Sequence, residues 1–313
     1  MGSESKANFG IYFIMLLVPL FWGGAFGSTK HVLTELPPLT ASAVRFLIAG
    51  LLMALWVVVR KDWDWAIVKH NWLGLLGLGL TGVFGYNVFF AMGLQYTSAI
   101  NGALVIVINP VTTALISVLF LGEAWSLRLG LGVGLSLAGV LTVITKGNFG
   151  VLANMSFNYG EILLLGAVAS WTAYTTLGKM VMRNIGAVPA TAVSTLMGAI
   201  LLIISSFMEN AWRNMPNLSF QVVAELLYLA VFSTVVAFIL FNIGIRRLGA
   251  SKASAYINLM PVNALLIAAA VYGETVTIMH IIGMVLVISG VLLTTTASGA
   301  KPVLSKQELT CRS

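Results

Sequence analysis

The sequence predicts an all-α polytopic membrane protein, with ten transmembrane helices arranged as two inverted five-helix repeats. Three observations predict it: an apolar composition, ten apolar stretches of spanning length, and an internal repeat at a fixed offset. Of 313 residues, 59% are hydrophobic and 9% charged, and the mean hydropathy is +0.97. A soluble domain carries roughly 25% charged residues, so this chain lies far outside that class. The formal charge of +7 comes from basic residues scattered in short gaps between apolar runs. No basic domain is there to hold a phosphate backbone, which excludes nucleic acid as a partner. The sole cysteine, Cys311, lies in a polar tail; neither a disulfide framework nor a cysteine metal site can be built.

A spanning helix needs about 20 mostly apolar residues. The chain offers ten, at 10–33, 38–59, 72–94, 98–121, 127–145, 160–181, 187–208, 222–244, 251–272 and 278–297. The first is expected to be retained, because no small-residue cleavage pattern follows it. Between the spans come polar or turn residues, such as Arg60-Lys61-Asp62, Gln95-Tyr96-Thr97, Gly122-Glu123 and Gly273-Glu274. Most gaps are short, so neighbouring helices form tight antiparallel hairpins. With the amino end inside, thirteen of the 17 Lys and Arg fall on the inner side, three on the outer side, and Arg45 within a helix. The positive-inside rule then places both termini in the cytoplasm and the protein in the cell's inner (plasma) membrane.

At an offset of 151 residues the two halves register without gaps from about Gly93. Gly93 meets Gly244, Pro110-Val111 meets Pro261-Val262, Gly122-Glu123 meets Gly273-Glu274, and Gly139-Val140-Leu141 meets Gly290-Val291-Leu292. Between 93 and 144, 14 of 52 positions are identical. Upstream, Pro38, Thr40 and Ala41 meet Pro189, Thr191 and Ala192, and Trp22 pairs with Trp171 at a slightly different offset. Five helices per half is an odd number, so equivalent helices must cross in opposite directions. Such inverted repeats recur in secondary transporters, with the substrate held near the midplane between the halves. A duplicated scaffold with no pathway is the plainer alternative.

Phe21-Trp22-Gly23-Gly24 in the first span, Arg45-Phe46-Leu47 in the second, and Asn109-Pro110 followed by Gly122-Glu123 resemble the drug/metabolite transporter superfamily. The EamA-type group is the nearest branch. The second half repeats the pattern with Ser170-Trp171-Thr172-Ala173-Tyr174, Pro261 and Gly273-Glu274. The resemblance covers residues 10–297 and implies two EamA-like repeats, 10–147 and 159–297, and export of small metabolites such as amino acids. An amino-terminal tail at 1–9, an outer linker at 148–158 and a cytoplasmic tail at 298–313 complete the expected organisation.

The residues themselves suggest where a solute would pass. Pro19, Gly23, Gly24 and Gly27 loosen the first span, as a hinge or as a close-packing face. Pro110 and Pro261 each free the carbonyl four residues earlier, Ile106 or Ile257, beside the amides Asn109 and Asn258. Those amides could face a cavity or merely bond a neighbouring helix. Tyr256 and Asn258 lie about 200° apart on an ideal helix, so only one can face a common cavity, and Asn258 is favoured. With Trp22, Tyr86, Asn87, Trp171, Tyr174 and Asn242 these make the expected substrate pathway. Its walls are the third, fourth, eighth and ninth spans, completed by the first and sixth. Arg45 is an intramembrane cation, a functional candidate by default, but snorkelling or bonding to a neighbouring helix would also satisfy it. An architectural role is put first. Glu123 and Glu274 are expected to cap turns or bond the next helix's amino-terminal amides.

No Asp or Glu falls at the centre of a span, which removes the obvious proton carrier and the obvious partner for a lipophilic cation. No G-x-x-x-x-G-K-[ST] loop occurs, and His31, His70 and His280 lack metal-ligand spacing, so neither a nucleotide-driven pump nor a metal site is expected. The expected partners are the lipid bilayer and a small-molecule substrate, with a homodimer left open and no cofactor. The functional expectation is therefore a secondary active transporter, not an enzyme, exporting a neutral or zwitterionic metabolite by alternating access. Alternatives are a multidrug exporter of the same superfamily, a scramblase or a membrane-embedded enzyme.

Overall fold

A computed structural model describes residues 10–60, 64–96, 105–148, 150, 159–213, 217–272 and 276–296, and all regular structure among them is helical. Glu274 lies outside the described residues. The first half holds α1 (Leu17–Val32), α2 (Pro38–Arg60), a short α3 (Trp65–His70), α4 (Trp72–Leu78), α5 (Tyr86–Tyr96), α6 (Asn109–Leu121) and α7 (Leu127–Thr145). The second holds α8 (Tyr159–Val181), α9 (Ala187–Ser206), α10 (Phe220–Tyr228), α11 (Ala237–Leu248), a short α12 (Ala250–Ala255), α13 (Met260–Tyr272) and α14 (Ile278–Thr296).

Among the described residues, seven helices are long and apolar enough to cross a membrane: Gly10–Thr29, Pro38–Val59, Trp72–Gly93, Leu127–Thr145, Ala187–Glu209, Phe220–Leu248 and Ile278–Thr296. The other three expected spans differ, each for a physical reason. The sixth is one unbroken 23-residue helix, α8. It is more polar because its interior face carries Thr172, Thr175, Thr176 and Glu161, all buried against other helices rather than lipid. The ninth is interrupted, α12 passing through a 3-10 turn at Tyr256–Leu259 into α13. Of the fourth, α6 is a 13-residue apolar helix. Within the first span, Pro19 has no N–H to offer the Met15 carbonyl, and the chain turns at Leu16 before α1 begins.

The 151-residue offset of the sequence reappears in the backbone. Shifted by it, α7 falls on α14 and α6 on α13 residue for residue, and α5 falls on 237–247 against α11 at 237–248. The most telling coincidence carries no sequence identity. The third span contains a π-helical segment, Gly79–Gly85, and the eighth contains another, Leu229–Val236; the first shifted by the offset becomes 230–236. A π-turn fits one extra residue into the helix, which separates its carbonyls from their usual donors.

α7 and α14 show the relative direction of the halves. A methyl added at Gly132 would stand 2.8 Å from the Gly290 carbonyl oxygen, and one at Gly139 would stand 2.7 Å from that of Gly283. Higher numbers on one helix meet lower numbers on the other, so the pair is antiparallel. Gly132 and Gly283 are equivalent by the offset, as are Gly139 and Gly290, so the contacts are reciprocal about a local two-fold axis. Glycines spaced seven apart, two helical turns, bring the backbones within van der Waals reach, the packing that stabilises helices in lipid where hydrophobic force is absent.

Carboxylates tie helix ends across the molecule. At the end of the bundle marked by the 33–37 turn, Glu209 accepts from the amides of Leu39 (2.9 Å) and Thr40 (2.7 Å) at the start of α2. There too Glu35 accepts from the Ser219 amide (2.8 Å), which holds its carboxyl below the ordinary range. At the opposite end, Glu123 accepts from Ala250 (2.8 Å) and Ser251 (3.3 Å), the first amides of α12. The expectation for Glu123 is corrected in one respect: the amides belong to the other half, whereas the next helix, α7, is capped by Ser126. A helix amino terminus carries unpaired N–H groups and partial positive charge, so a carboxylate satisfies both at once.

Gly139→Leu places a side chain against backbone and is expected to destabilise the protein by about 1–3 kcal/mol. Gly134→Ala, five residues away on another face of the same helix with nothing within 4 Å of the added methyl, should leave stability unchanged or slightly raised. Thermal unfolding of the purified variants in one detergent checks the contrast.

Candidate functional site

Between the halves lies a cavity of about 580 Å³. It runs from the middle of the bundle to the 33–37 end, where Thr29, Val32, Leu33 and Pro38 line it. α1 supplies Trp22, Ala25 and Gly27, and α2 supplies Ala41, Ser42, Arg45 and Phe46. From α5 come Tyr86, Asn87 and Phe90; Asn109, Trp171, Leu226, Phe238, Ile257 and Met260 close the remaining sides. The second span therefore contributes more wall than sequence reasoning assigned it.

Gly23, Gly24 and Gly27 of the first span each have different surroundings. Gly23 lets α1 approach α13, since a methyl there would be 3.0 Å from the Met260 carbonyl oxygen. Gly24 makes room for the Tyr228 hydroxyl, which donates to the Phe21 carbonyl at 2.9 Å. Gly27 faces open space and widens the cavity. In this first span both packing and openness are used.

The cavity ends on a cluster of aromatic rings. Trp22 and Trp171, the paired tryptophans of the two halves, meet edge to face at 5.3 Å. Phe238 and Phe241 pack against both, and Tyr174 packs against Trp171 at 5.3 Å. Edge-to-face and tilted ring pairs are favourable beyond the area they bury. The Trp22 indole N–H donates to the Ser233 carbonyl at 2.8 Å, an acceptor in the π-helical segment. The Trp171 indole N–H has no partner among the described residues. The two halves are thus unequal at their most similar side chains.

Of the expected pathway residues, Trp22, Tyr86, Asn87, Asn109 and Trp171 line the cavity; Pro110, Tyr174, Asn242, Asn258 and Pro261 do not. Tyr174 lies behind the cluster, 1% exposed, its ring packed on Gly82. Its hydroxyl accepts from Asn242 at 2.6 Å, and Asn242 also donates to Thr191 at 2.8 Å. Asn258 points into the α7 interface and donates to Ser136 at 2.7 Å. Tyr256 instead bonds the Tyr12 carbonyl, so neither residue of that pair faces the cavity, and the intervening Ile257 does. The turn geometry explains it: the helix tightens to 3-10 at Tyr256–Leu259, which changes the angular spacing assumed for an ideal helix. The carbonyl freed by Pro261 is consequently not left open, because the Met260 amide donates to Ile257.

The Arg45 guanidinium reaches across to hydroxyls of the eighth span rather than to carbonyls. Its Nε donates to Thr234 Oγ1 at 2.8 Å and an Nη donates to Ser233 Oγ at 3.1 Å, with the guanidinium 5.0 Å from the Phe46 ring centroid. Ser233 and Thr234 escaped sequence reasoning. The available signal was that they are the only polar pair in the middle of the eighth span, opposite a cation that needed partners. Asn87 is held by the other π-helical segment, donating to Val83 at 2.6 Å. The Asn109 carbonyl oxygen, in a side chain 2% exposed, has no partner among the described residues. No group of three or more His, Cys, Asp or Glu able to hold a metal occurs among the described residues.

Replacing Trp22 by Phe strands the Ser233 carbonyl and is expected to cost about 1–3 kcal/mol. Trp171→Phe breaks no bond and should cost less. Thermal unfolding of the two variants, measured side by side, reads the difference.

Comparison with known proteins agrees with this architecture. The model of the EamA-like transporter family matches twice, over residues 9–145 and 158–296. The chain is 31% identical over 292 residues to the uncharacterized transporter YyaM of Bacillus subtilis, covering 93% of this chain and 94% of that protein. It is 30% identical to an uncharacterized transporter of Archaeoglobus fulgidus, covering 92% and 98%. The uncharacterized inner membrane transporter YedA of Escherichia coli is 27% identical, over 95% and 94%. A solved structure titled only as the crystal structure of a protein shares the fold with a TM-score of 0.75, 18% identity, and coverage of 91% and 96%. With both halves matched and the matches spanning nearly its whole length, this multi-pass membrane chain belongs to the EamA-like transporter family.

Proposed function

We propose that the protein is a secondary active transporter that exports a small, amino-acid-like metabolite across the cell's inner membrane by alternating access. The observation that carries this reading is a cavity between two structurally repeated halves, reaching one end of the bundle and stopped by an aromatic cluster short of the other. A transporter of this kind exposes one site to each side in turn, and repeats of opposite direction provide two related closures for it. In this reading all ten expected spans cross the membrane and both termini are cytoplasmic. The 33–37 end is then outside, so the described conformation is open outward and closed inward.

Two features support the inward closure. Trp22, Trp171, Phe238 and Phe241 fill the path beyond the cavity. Beyond them Glu123 fastens α6 of the first half to α12 of the second. Opening inward would require both to separate, while the reciprocal α7–α14 seam could stay in place. The relatives share the transporter name without a named cargo, so cargo rests on cavity chemistry.

Counterflow into proteoliposomes loaded with a panel of amino acids and related small metabolites tests the proposal. Saturable, solute-specific exchange is expected, reduced at least tenfold by Trp171→Ala, which removes a ring from both the cavity and its floor. Absence of solute-dependent flux across the whole panel would sink the transporter reading.

A further inference from the structure

Among the described residues, the cavity contains a cation with no anion to match it: Arg45 is the only Lys or Arg that lines it, and no Asp or Glu does. Among the described lining residues the one other ionisable side chain is Tyr86, whose phenol is neutral at ordinary pH. The two hydrogen-bond partners of Arg45, Ser233 and Thr234, are neutral hydroxyls. A guanidinium carries five N–H donors in a planar fork, and these two bonds use one from Nε and one from an Nη. A charge taken from bulk water into a protein interior is costly unless paired and hydrogen-bonded. The hydroxyls orient the fork and the Phe46 ring face lies 5.0 Å away, but neither supplies a negative charge.

The remaining surface is the opposite of ionic. Trp22, Phe46, Phe90, Trp171 and Phe238 give the wall wide apolar faces. One fixed cation amid aromatic rings selects a molecule with one anionic group and a flat or branched apolar body. Planar two-oxygen anions suit the fork because two parallel N–H bonds form at once.

We propose that Arg45 is the substrate's anion anchor, and that the cargo is a carboxylate-bearing molecule with an apolar, aromatic-sized body. This rests on the cavity being the transport site and narrows its cargo: a zwitterion qualifies through its carboxylate, and a molecule with no carboxylate does not. An amine on the cargo would meet no carboxylate among the described lining residues, so the cavity offers it no charged partner. The same cavity disfavours lipophilic cations, which would face Arg45 with nothing to neutralise either charge.

The test is equilibrium binding to the purified full-length protein in nanodiscs, with two matched pairs of probes: phenylacetate against phenylacetamide, and L-phenylalanine against L-phenylalaninamide. In the unmodified protein the carboxylate member is expected to bind at least tenfold tighter in one or both pairs. Arg45→Gln should shrink that preference to within about twofold. No preference in either pair, or a preference that Arg45→Gln retains, would overturn the proposal. Should that variant fail to fold, modification of Arg45 by phenylglyoxal, read by mass spectrometry on the unmodified protein, decides instead. Phenylacetate is expected to slow it and phenylacetamide not; equal modification with and without phenylacetate overturns the proposal. The counterflow experiment separates this idea from the reading beneath it. A carboxylate preference in binding without any flux would remove the transporter reading and leave the anchor, whereas flux indifferent to carboxylates would do the reverse.

Discussion

Backbone hydrogen bonding in an apolar slab is the constraint on which this molecule depends. Every N–H and C=O at membrane depth must find a partner inside the protein or in a water-filled cavity. Long regular helices meet it along most of the chain. Three departures among the described residues bear on the cavity: π-helical segments at Gly79–Gly85 and Leu229–Val236, and a 3-10 turn at Tyr256–Leu259. All three contact the cavity or its immediate support. The π-segment of the eighth span illustrates the gain. Its Ser233 carbonyl takes the Trp22 indole N–H, and its Ser233 and Thr234 hydroxyls take Arg45. One irregular turn thus positions both the aromatic floor and the cation.

Likeness between the halves makes their differences informative. Trp22 and Trp171 are paired by the repeat and touch each other, yet among the described residues only Trp22 has a hydrogen-bond acceptor. The π-segments coincide in position, but the first is built on Gly79, Gly82 and Gly85 and the second on Ser233 and Thr234. Glycines there admit the Tyr174 ring and the backbone of α9, whereas hydroxyls there hold a charge. Equivalent backbone therefore serves packing on one side and polar recognition on the other.

The sequence carried the helices, the repeat and the broad family well, because hydropathy and the 151-residue offset are properties of long segments. It carried side-chain direction poorly. Asn258 was assigned to the cavity on ideal α-helical angles, and the 3-10 turn put Ile257 there instead. Asn242 donates to the Tyr174 hydroxyl behind the wall, a pairing between residues 68 apart in sequence that no local pattern announces. Arg45 was visible as an intramembrane cation, but its exposure to the cavity depends on α10, α11 and the π-segment between them. Glu209 was unremarked because its partners, the α2 amides, are 169 and 170 residues away.

The glycine seam between α7 and α14 has a bearing on motion. An interface that lies on a two-fold axis maps onto itself when the two halves exchange their shapes. Gly132 against Gly290 simply becomes Gly283 against Gly139. If the halves trade conformations, that contact has the same energy before and after, so it contributes nothing to the preference for either state. It can act as a fulcrum whose tightness is set independently of the balance it supports.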